Sequence, residues 1–564
     1  MFPYLVVGHR LPFLIVVALV ACLPGTATAA EKKKPRKPLR MQLLGINDFH
    51  GHLDASTPGR VSRTKRSRDG VPAGGAAYLA THVRMLSRRR KYTLVVAAGD
   101  TVGGSPLLSS LFHDEPAIEA MNRIGLDVAA VGNHEFDEGA NELRRLQRGG
   151  CHPVDGCADG TPFRGAKFPF LAANVVSRRT GKTIFPPYVI RRVGGERIAF
   201  IGMTLEGTPE LIAPYIAANL RFLDEARTAN RYVRQLRRKR VRAIVVLLHE
   251  GDAPTRRGTV DSCPGVRGPL GDIVRRTSQD VDVFLTGHTH AAYDCVIDRR
   301  RVTSAGSYGR LITRIDIEIS RRTHDVIRAR ADNWIVGQDV MRAPDLTALI
   351  AHYTRFAAPL RDRVIGRLAS SASRARDDSG ESRMGNLVAD AQRHVTVADA
   401  AFIIPGHVRA GLAAGDVTYG RAFIAQPFGT SLVTMTLTGA QILELLKQQW
   451  CGQRKPQVLQ PSVSVSYAWS TATAAAITGQ PCATAANPVS DLRLHGRPVS
   501  AASGYRVTVN SSMAAGGSRL TVLADGTART GGPEDTRALE TYLAPSLDGV
   551  PLAPPALDRI TRVP

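Results

Sequence analysis

The sequence predicts a layered α/β domain followed by a smaller α+β domain. From Met41 to about Ile335, short apolar runs alternate with helical patterns, as in sheets that are buried on both faces. From Val364 onward the composition shifts toward Ala, Thr, Ser and Gly. A length of 564 residues exceeds what one hydrophobic core usually supports, so we expect two to four domains.

The elements of the first domain are predicted from the period of the apolar residues. Strands are predicted at Met41–Ile46, Thr93–Ala98, Val128–Val131, Ile198–Ile201, Ala243–Leu248 and Val281–Leu285. Helices are predicted at Gly75–Ser87, Pro116–Ile124, Asn141–Leu146 and Asp224–Arg238. An amphipathic helix at Pro344–Arg363 is predicted to link the two domains.

The second domain is predicted to mix helices with strands. Helices are expected at Met384–Thr396 and Thr438–Gln449, and strands at Leu432–Leu437 and Tyr505–Val509. The Pro-rich tail Pro551–Pro564 is predicted to be irregular. The resulting domain limits are 41–338 for the first domain, 344–363 for the linking helix and 364–564 for the second domain.

Residues 1–30 have the pattern of a secretory signal peptide. Arg10 precedes the apolar stretch Leu11–Ala21, and Ala27-Thr28-Ala29 matches a signal-peptidase site. We therefore predict an extracytoplasmic protein that is secreted, periplasmic or associated with the cell envelope. An alternative stays open, because Leu19-Val20-Ala21-Cys22 is similar to a lipobox, which would place a lipid anchor on Cys22.

The cysteines predict disulfide bonds. Of the seven cysteines, Cys22 belongs to the predicted signal peptide, and an even number remains in an exported chain. Pairing sequence neighbours predicts the bonds Cys151–Cys157, Cys263–Cys295 and Cys451–Cys482. The alternative is a zinc site, but no Cys-x-x-Cys pair supports it.

The formal charge of +25 is spread over short basic runs such as Arg88–Lys91, Arg237–Arg240 and Arg299–Arg301. No aromatic residues interleave with these runs, so we interpret them as solvated faces and expect no nucleic-acid partner. A positive field would still attract small anionic substrates.

Five of the apolar runs are followed directly by side chains that can bind metal ions. In chain order these are Asp48 and His50, then Asp100, then Asn133, His134 and Asp137, then His249, and then His288 and His290. In α/β sheets ligands bind beyond the carboxyl ends of the strands, so we expect these side chains to lie together. An extended backbone would direct Asp48 and His50 to the same side, and likewise His288 and His290.

This set of donors predicts phosphoryl chemistry on two metal ions. Mixed His, Asp and Asn ligands suit zinc, manganese or similar divalent ions. Two such ions, about 3.5–4 Å apart and bridged by a carboxylate, hold the attacking and leaving oxygens of an in-line displacement. Water bound to such an ion becomes hydroxide near neutral pH. One such side chain alone would carry little weight, but five coincident positions indicate a functional site.

These positions fall in motifs that resemble a known family. The motifs are "NDFHGHL" (47–53), "AAGDTVGGSPL" (97–107), "VGNHEFDEG" (131–139), "LLHEG" (247–251) and "LTGHTH" (285–290). In sequence and order they resemble the metal motifs of the 5′-nucleotidase / UDP-sugar hydrolase family of calcineurin-like metallophosphoesterases. The resemblance covers nearly all of residues 41–564. It implies a four-layered metallophosphatase domain, a connecting helix and an α+β C-terminal domain that binds the substrate.

The resemblance also implies a role for each residue. Asp48, His50 and His290 would hold the first metal ion, Asn133, His249 and His288 the second, and Asp100 would bridge them. Asn133 is also expected to contact the substrate. His134, oriented by Asp137, would stabilise charge on the phosphoryl group and help the leaving oxygen depart.

The second domain resembles the family's substrate domain, with departures. The similar segments are "MGNLVADAQ" (384–392), "VTYGRAFIAQPFGTSLVTMTLTGAQI" (417–442) and "YRVTVNSSMAAGG" (505–517). The family holds phosphate with an Arg after a Gly-rich loop and sandwiches the base between two Phe rings, which implies these roles for Arg409 and Phe428. Ile404, His407, Ser512 and Ser518 stand where the family has Asn, Gly, the second Phe and, nearby, a ribose-binding Asp. Arg374 or Arg376 could supply a further phosphate contact, and Met513 or Arg519 could replace the missing ring.

The resemblance implies a metal-dependent phosphoric ester hydrolase of the 5′-nucleotidase type. Its substrates would be nucleoside 5′-monophosphates or related small-molecule phosphate esters. Two alternatives stay open: another substrate class, such as nucleotide sugars or cyclic nucleotides, and a non-catalytic binding protein with the same fold. The presence of His134 and Asp137 beside seven metal donors favours an enzyme.

Overall fold

The structure is a computed structural model that describes residues 37–54, 59–62, 70–212, 214–254, 258–263, 265–453 and 455–564. The predicted signal peptide at residues 1–30 and Cys22 lie outside these residues. Residues 38–564 form one compact unit. Among the described residues, no helix combines the length and apolar character that crossing a bilayer requires.

The first domain contains two mixed sheets, each of six strands among the described residues. The first sheet has the strand order Val326–Ile335, Leu311–Ile319, Leu39–Ile46, Thr93–Ala98, Val128–Ala130 and Phe170–Leu171. The second has the order Ala292–Ile297, Arg300–Ala305, Val283–Thr286, Ala243–His249, Glu196–Thr204 and Tyr188–Val193. The inner strands of both sheets run parallel, as the continuous apolar runs predict.

The two sheets pack face to face with helices outside. Met41 and Val96 of the first sheet share a buried cluster with Phe200 and Val245 of the second. The other face of the first sheet packs against the helices Ala76–Arg88, Glu115–Ile124, Gly139–Arg148 and Pro344–Arg361. The other face of the second sheet packs against Glu225–Arg238 and Leu270–Arg276. These four layers confirm the predicted fold class.

The six predicted strands and four predicted helices of this domain all form, with shifted ends. The helix Glu225–Arg238 begins where predicted because the Asp224 carboxylate accepts a hydrogen bond from the Arg227 amide at 2.7 Å. The helix predicted at Asn141–Leu146 extends to Gly139–Arg148.

The first domain also contains shorter elements. Short helices occur at Leu107–Ser110 and Pro214–Ala217. Small two-stranded ladders join Gly59–Val61 to Val71–Ala73, Val175–Ser177 to Leu220–Phe222 and Ala253–Pro254 to Val266–Arg267.

The linking helix spans Pro344–Arg361. Leu346, Leu349 and Tyr353 are its buried residues, and they join the core of the first domain. Ile350 and Phe356 pack at the edge of the same core, so the predicted apolar face is the one that is covered.

The second domain has its own hydrophobic core around a mixed sheet. That sheet has the strand order Gln460–Pro461, Ala400–Ile403, Gly504–Asn510, Ser431–Thr438 and Thr527–Glu534. A second sheet has the strand order Arg497–Pro498, Val489–Leu494, Val465–Ser470 and Ile560–Val563. Val364–Leu368 pairs with Gly415–Thr418. The helices are Arg383–Thr396, Tyr419–Ala425, Gly439–Lys447, Thr471–Ile477, Ser511–Ala514 and Asp535–Leu543.

The prediction of an irregular C-terminal tail is wrong for its last residues. Ile560–Val563 forms a strand parallel to Val465–Ser470. The buried Arg559 anchors it, because its guanidinium lies 2.9 and 2.7 Å from the two carboxylate oxygens of Asp390. No alternation of apolar residues marks this strand in the sequence.

The three predicted disulfides are present. Cys151 is bonded to Cys157, Cys263 to Cys295 and Cys451 to Cys482. The first closes a loop of the first domain, and the last lies at the core of the second domain.

Candidate active site

The predicted metal donors converge at one edge of the two packed sheets. Asp48, Asp100 and Asn133 follow strands of the first sheet, whereas His249 ends a strand of the second and His288 follows the next one. These are carboxyl ends of parallel strands, so the edge collects side chains from both sheets.

One group of donors contains Asp48, His50 and His290. Nε2 of His50 lies 3.1 Å from Nε2 of His290, and the latter lies 3.4 Å from Oδ1 of Asp48. Asp48 and His50 are buried, and the side chain of His290 is 35% exposed, so the group opens to solvent on the His290 side.

A second group contains Asp100, Asn133, His249 and His288. Oδ1 of Asn133 lies 3.2 Å from Nε2 of His249 and 3.0 Å from Nδ1 of His288. Oδ2 of Asp100 lies 2.9 Å from Nε2 of His249 and 3.6 Å from Nε2 of His50. Asp100 therefore lies between the two groups, the position that a bridging carboxylate needs.

The backbone of these donors is not extended, contrary to the prediction. Asp48, His50 and Asp100 have φ values of 49°, 47° and 47°, and His288 and His290 have 71° and 55°. Non-glycine residues rarely occupy this left-handed region, and such strain concentrates at functional sites. The donors are brought together by tight turns after the strands and not by the alternation of a strand.

Neighbouring groups fix the orientation of the donors. Nδ1 of His50 donates to the carbonyl of Gly103 at 2.7 Å, and Nδ1 of His249 donates to that of Ala98 at 2.9 Å, which leaves Nε2 of each ring free to bind a metal ion. Burial opposes ionisation of Asp100, but His249 and His134 hold its pKa well below the usual range.

Glu135 is a supporting residue that the motif analysis missed. Its carboxylate accepts hydrogen bonds from the amides of Asp100 at 2.9 Å, Thr101 at 2.7 Å and Gly132. It thereby ties together two of the loops that carry donors. Its position inside the motif "VGNHEFDEG" is the sequence feature that could have identified it.

The donor set fits two divalent cations. Two ligands bound at about 2.1 Å to one cation at angles of 90–109° lie roughly 3.0–3.4 Å apart, and several of the donor separations above fall in or close to this range. The four ring nitrogens, two carboxylates and one amide oxygen are donors that divalent transition-metal ions accept. The Nδ1 hydrogen bonds of His50 and His249 match the arrangement that metal-binding histidines usually show.

His134 and Asp137 form a hydrogen-bonded pair beside this centre. Nδ1 of His134 lies 2.7 Å from Oδ2 of Asp137, and the His134 amide donates to Oδ1 of Asp100 at 3.0 Å. Burial lowers the pKa of His134, but the carboxylates of Asp137 and Asp100 outweigh it and raise the pKa to about 10. The two carboxylates therefore favour the protonated form of the imidazole.

Glu534 of the second domain reaches this pair. Its side chain is hydrogen-bonded to Asp137. Burial and the neighbouring Asp137 carboxylate raise the pKa of Glu534 well above its usual range, so a protonated Glu534 donates to Asp137. Nothing in the sequence pattern identified this residue, because it lies about 400 positions away at the end of the strand Thr527–Glu534.

The second domain also contacts the centre through glycines. A Cβ atom on Gly429 would lie 2.7 Å from Cα of Gly104, and one on Gly104 would lie 3.3 Å from Cε1 of His134 and from Nδ1 of His50. The loop that begins with Phe428 therefore contacts the loop of Gly104 directly. Phe428 is 42% exposed, which excludes the alternative that it is a core aromatic residue.

The structure places His407 and Arg409 beside Phe428. The His407 and Phe428 ring centroids are 5.4 Å apart, and the guanidinium carbon of Arg409 lies 6.0 Å from the Phe428 centroid. Asn510 donates to Nδ1 of His407, and burial together with Arg409 lowers the pKa of His407 to about 4. His407 is therefore a neutral ring that lies next to Phe428.

Other substrate-domain predictions need correction. Met513 is fully buried in the core, so it does not replace the missing ring. Arg519 is directed to the carbonyl of Gly452. Ile404 is buried, so its apolar side chain does not line a pocket. Nη1 of Arg374 donates to the carbonyl of Arg409 at 2.7 Å and supports that residue from behind.

Ser512 and Ser518 are both exposed, and Ser518 has a φ of 55°. Because residue 518 is a serine, the ribose-binding carboxylate expected of the family has no counterpart at this position. Arg376 is also exposed.

Sequence comparisons identify the two domains. Residues 41–292 match the profile of the calcineurin-like phosphoesterases, and residues 364–525 match that of the 5′-nucleotidase C-terminal domain. Among curated proteins, the chain is similar to endonuclease YhcR of Bacillus subtilis, with 30% identity over 534 residues, and to cell wall protein Lmo0130 of Listeria monocytogenes, with 30% identity over 465 residues.

These alignments cover 92% and 76% of this chain but only 41% of YhcR and 58% of Lmo0130, so the chain spans less than two thirds of either relative. Among solved structures, the NAD nucleotidase of Haemophilus influenzae shares the fold, with a TM-score of 0.64 at 18% identity. That match covers 94% of this chain and 100% of the other. The chain therefore belongs to the calcineurin-like phosphoesterases that carry a 5′-nucleotidase C-terminal domain.

Proposed function

We propose that this chain is an exported two-metal phosphohydrolase that releases phosphate from nucleoside 5′-monophosphates or related nucleotides. The observation that carries the proposal is that Gly104 lies next to three groups. A Cβ atom there would lie 3.3 Å from His50, a predicted metal donor, from His134 of the His134–Asp137 pair, and from Gly429, which follows Phe428.

The proposal assigns Asp48, His50 and His290 to one cation and Asn133, His249 and His288 to the other, with Asp100 bridging. When bound, the cations polarise phosphoryl oxygens and make water a nucleophile near neutral pH. Because Nδ1 of His134 is held by Asp137, its Nε2 faces the site and donates a proton toward the phosphoryl or leaving oxygen. Asn133 contacts the same phosphoryl group in this proposal.

Phe428 and Arg409 would hold the remainder of the nucleotide. The exposed Phe428 ring offers a stacking surface for a base, worth about 1–3 kcal/mol. The Arg409 guanidinium beside it attracts the anionic part of the substrate and can bind phosphate in a bidentate way. The domain limits that accompany this proposal are 41–338 and 364–564, with 344–363 as the linking helix.

An extracytoplasmic location is part of the proposal. The signal pattern of residues 1–30 supports it, and so do the three disulfides, which persist in oxidising compartments. The name of one relative, a cell wall protein, agrees with it. Lipid attachment at Cys22 stays an alternative to free secretion, and incorporation of labelled fatty acid into wild-type protein but not Cys22→Ala would identify it.

The experiment is a phosphate-release assay on chelator-treated protein, with Mn²⁺ or Zn²⁺ added back. The substrates are 5′-AMP, UDP-glucose and 2′,3′-cyclic AMP. We expect metal-dependent turnover that is fastest with 5′-AMP. Faster turnover of UDP-glucose or the cyclic nucleotide would assign the other substrate class, and no turnover of any ester would leave the non-catalytic alternative.

A further inference from the structure

A second group of donor side chains lies outside the proposed two-metal centre. His113, Glu138, His152 and Asp155 line one part of a cavity of about 860 Å³. The same cavity is lined by His134, Asp137 and Glu534, but by none of the residues Asp48, His50, Asp100, Asn133, His249, His288 and His290. The cavity therefore borders the His134–Asp137 pair, and the seven predicted donors do not line it.

Asp155 contacts both imidazoles of this group. Oδ2 of Asp155 lies 2.9 Å from Nε2 of His113 and 3.3 Å from Nδ1 of His152. One donor atom from each of the three side chains lies within 4.8 Å of the others. Ligands about 2.1 Å from a shared cation are separated by roughly 3.0–3.4 Å, so the distance from Asp155 to His152 falls within this range and the distance to His113 lies just below it.

Glu138 supplies the orienting contact that metal-binding histidines usually have. Its Oε2 atom lies 2.9 Å from Nδ1 of His113, on the opposite side of the ring from Asp155. A carboxylate that accepts the second ring N–H fixes the tautomer and the direction of the other nitrogen. Glu138 thereby holds the His113 ring so that its other nitrogen, Nε2, faces Asp155.

The local backbone holds the donors in place. His152 and Asp155 lie within the loop closed by the Cys151–Cys157 disulfide, and the backbones of His152 and Gly156 pair across it. His113 has a φ of 49°, a conformation that the surrounding structure must impose. The imidazoles are 19% and 14% exposed, so an ion from solvent can reach them.

We propose that His113, His152 and Asp155 bind a third divalent cation of the zinc type, with Glu138 orienting His113. Two imidazoles and one carboxylate favour zinc, cobalt or nickel over magnesium and calcium, which prefer oxygen ligands. The rings of His113 and His152 are stacked, with centroids 3.7 Å apart and an interplanar angle of 11°. Because a cation lies near the plane of each imidazole that binds it, binding requires one ring to turn, and His152 on the disulfide loop is that ring.

The site is connected to the catalytic pair through the chain. Glu138 follows Asp137, which holds His134. A cation at His113 would tie the disulfide loop to this segment. We therefore assign the site a supporting role for the segment that carries the pair.

The test measures zinc bound per chain. Full-length protein is stripped with a chelator, loaded with Zn²⁺, desalted and analysed by mass spectrometry of the metal. We expect wild type to retain one more zinc ion per chain than His152→Ala or Asp155→Ala. Glu138→Gln should keep the site but weaken its zinc affinity about 10–100-fold in a chelator competition.

The test includes a matched control variant and a repeat in a second mutant of the protein. His324→Ala removes a histidine that pairs with one carboxylate, Glu196 at 2.6 Å, and should retain as much zinc as wild type. In an Asp100→Ala background, adding His152→Ala should still remove one zinc ion, even if the proposed two-metal centre is wrong. Melting curves identify variants that fail to fold. Equal zinc content in folded wild type, His152→Ala and Asp155→Ala would overturn the proposal.

Discussion

Nδ1 of His134 lies 2.7 Å from Oδ2 of Asp137, and this contact leaves Nε2 as the ring nitrogen available to the proposed metal centre. His134→Ala should lower kcat about 10²–10⁴-fold, the usual contribution of a positioned proton donor. Asp137→Asn should lower kcat less, because the donor remains but its orientation is weakened. Metal content should not change in either variant.

The measurement is phosphate release at saturating substrate, with metal analysis of the same samples. His352→Ala is the matched control, because it removes a histidine that pairs with another carboxylate, with Nε2 of His352 2.9 Å from Oδ2 of Asp159. A kcat for His134→Ala equal to that of wild type would contradict the assigned role.

Glu534→Ala tests the contact between the second domain and the pair, because Gln at this position could still donate to Asp137 as the protonated acid does. We expect kcat to fall about tenfold, since a lost hydrogen bond to a charged group costs roughly 1.5 kcal/mol, while KM stays constant. Glu540→Ala is the control, because Glu540 lines the same cavity but pairs with Arg363 at 2.8 Å. Equal losses in both variants would indicate a general effect on domain packing instead.

Asp100→Ala tests the bridging position. We expect kcat/KM to fall by at least about 10³-fold and bound metal to decrease, because several kcal/mol of charge stabilisation depend on the cations. Asp127→Asn is the control, since the Asp127 carboxylate accepts from the Val95 amide at 2.8 Å at the opposite end of the same sheet. Retained turnover and metal in Asp100→Ala would refute the assignment.

Phe428→Ala tests the stacking surface. Loss of about 1–3 kcal/mol of base stacking should raise KM for 5′-AMP roughly 5–150-fold and leave kcat unchanged. Ile424→Ala removes a neighbouring exposed apolar side chain and should have no such effect. Ser512→Phe should lower KM if the missing ring weakens binding, and an unchanged KM in both Phe428→Ala and Ser512→Phe would exclude a base sandwich.

Because the Asp535 carboxyl is buried, we expect the stability of the folded protein to depend on pH. It is 1% exposed, and burial raises its pKa to about 7, although Thr430 and Thr536 donate hydrogen bonds to it. Between about pH 4 and pH 7 the unfolded chain loses this proton while the folded chain keeps it, so the group destabilises the fold as pH rises. Its contribution has a slope of at most about 1.4 kcal/mol per pH unit.

Asp535→Asn should flatten this part of the profile. Urea unfolding at pH 4.5, 6 and 7.5 measures it, with Glu534→Gln as a comparison because Glu534 is the neighbouring buried acid. A parallel profile for wild type and Asp535→Asn would show that Asp535 does not titrate in this range.

The strand-end donors could be predicted from the sequence because both of their causes are local. A continuous apolar run predicts a buried parallel strand, and parallel strands deliver the residue after each run to one edge. The left-handed backbone of Asp48 and His290 could not be predicted, because it results from contacts made between loops of two sheets. Glu534 was missed for the same reason, since its partner Asp137 belongs to another domain.

The substrate domain was predicted less well. The resemblance implied roles for Arg409 and Phe428, whereas Met513, considered as a replacement for the missing ring, is buried in the core. His407 stands where the family has Gly, and the structure places its ring beside Phe428. Side-chain direction in a loop depends on tertiary packing, which a sequence pattern does not contain.

The contact between Gly104 and Gly429 brings the main chains of the two domains together beside the predicted metal donors. A Cβ atom on Gly429 would lie 2.7 Å from Cα of Gly104, so position 429 has no room for a side chain. The main chain thereby sets the span between the predicted metal donors and the loop that carries Phe428. A substitution such as Gly429→Ala would lengthen that span and should shift preference toward larger leaving groups without altering the chemistry of the donors.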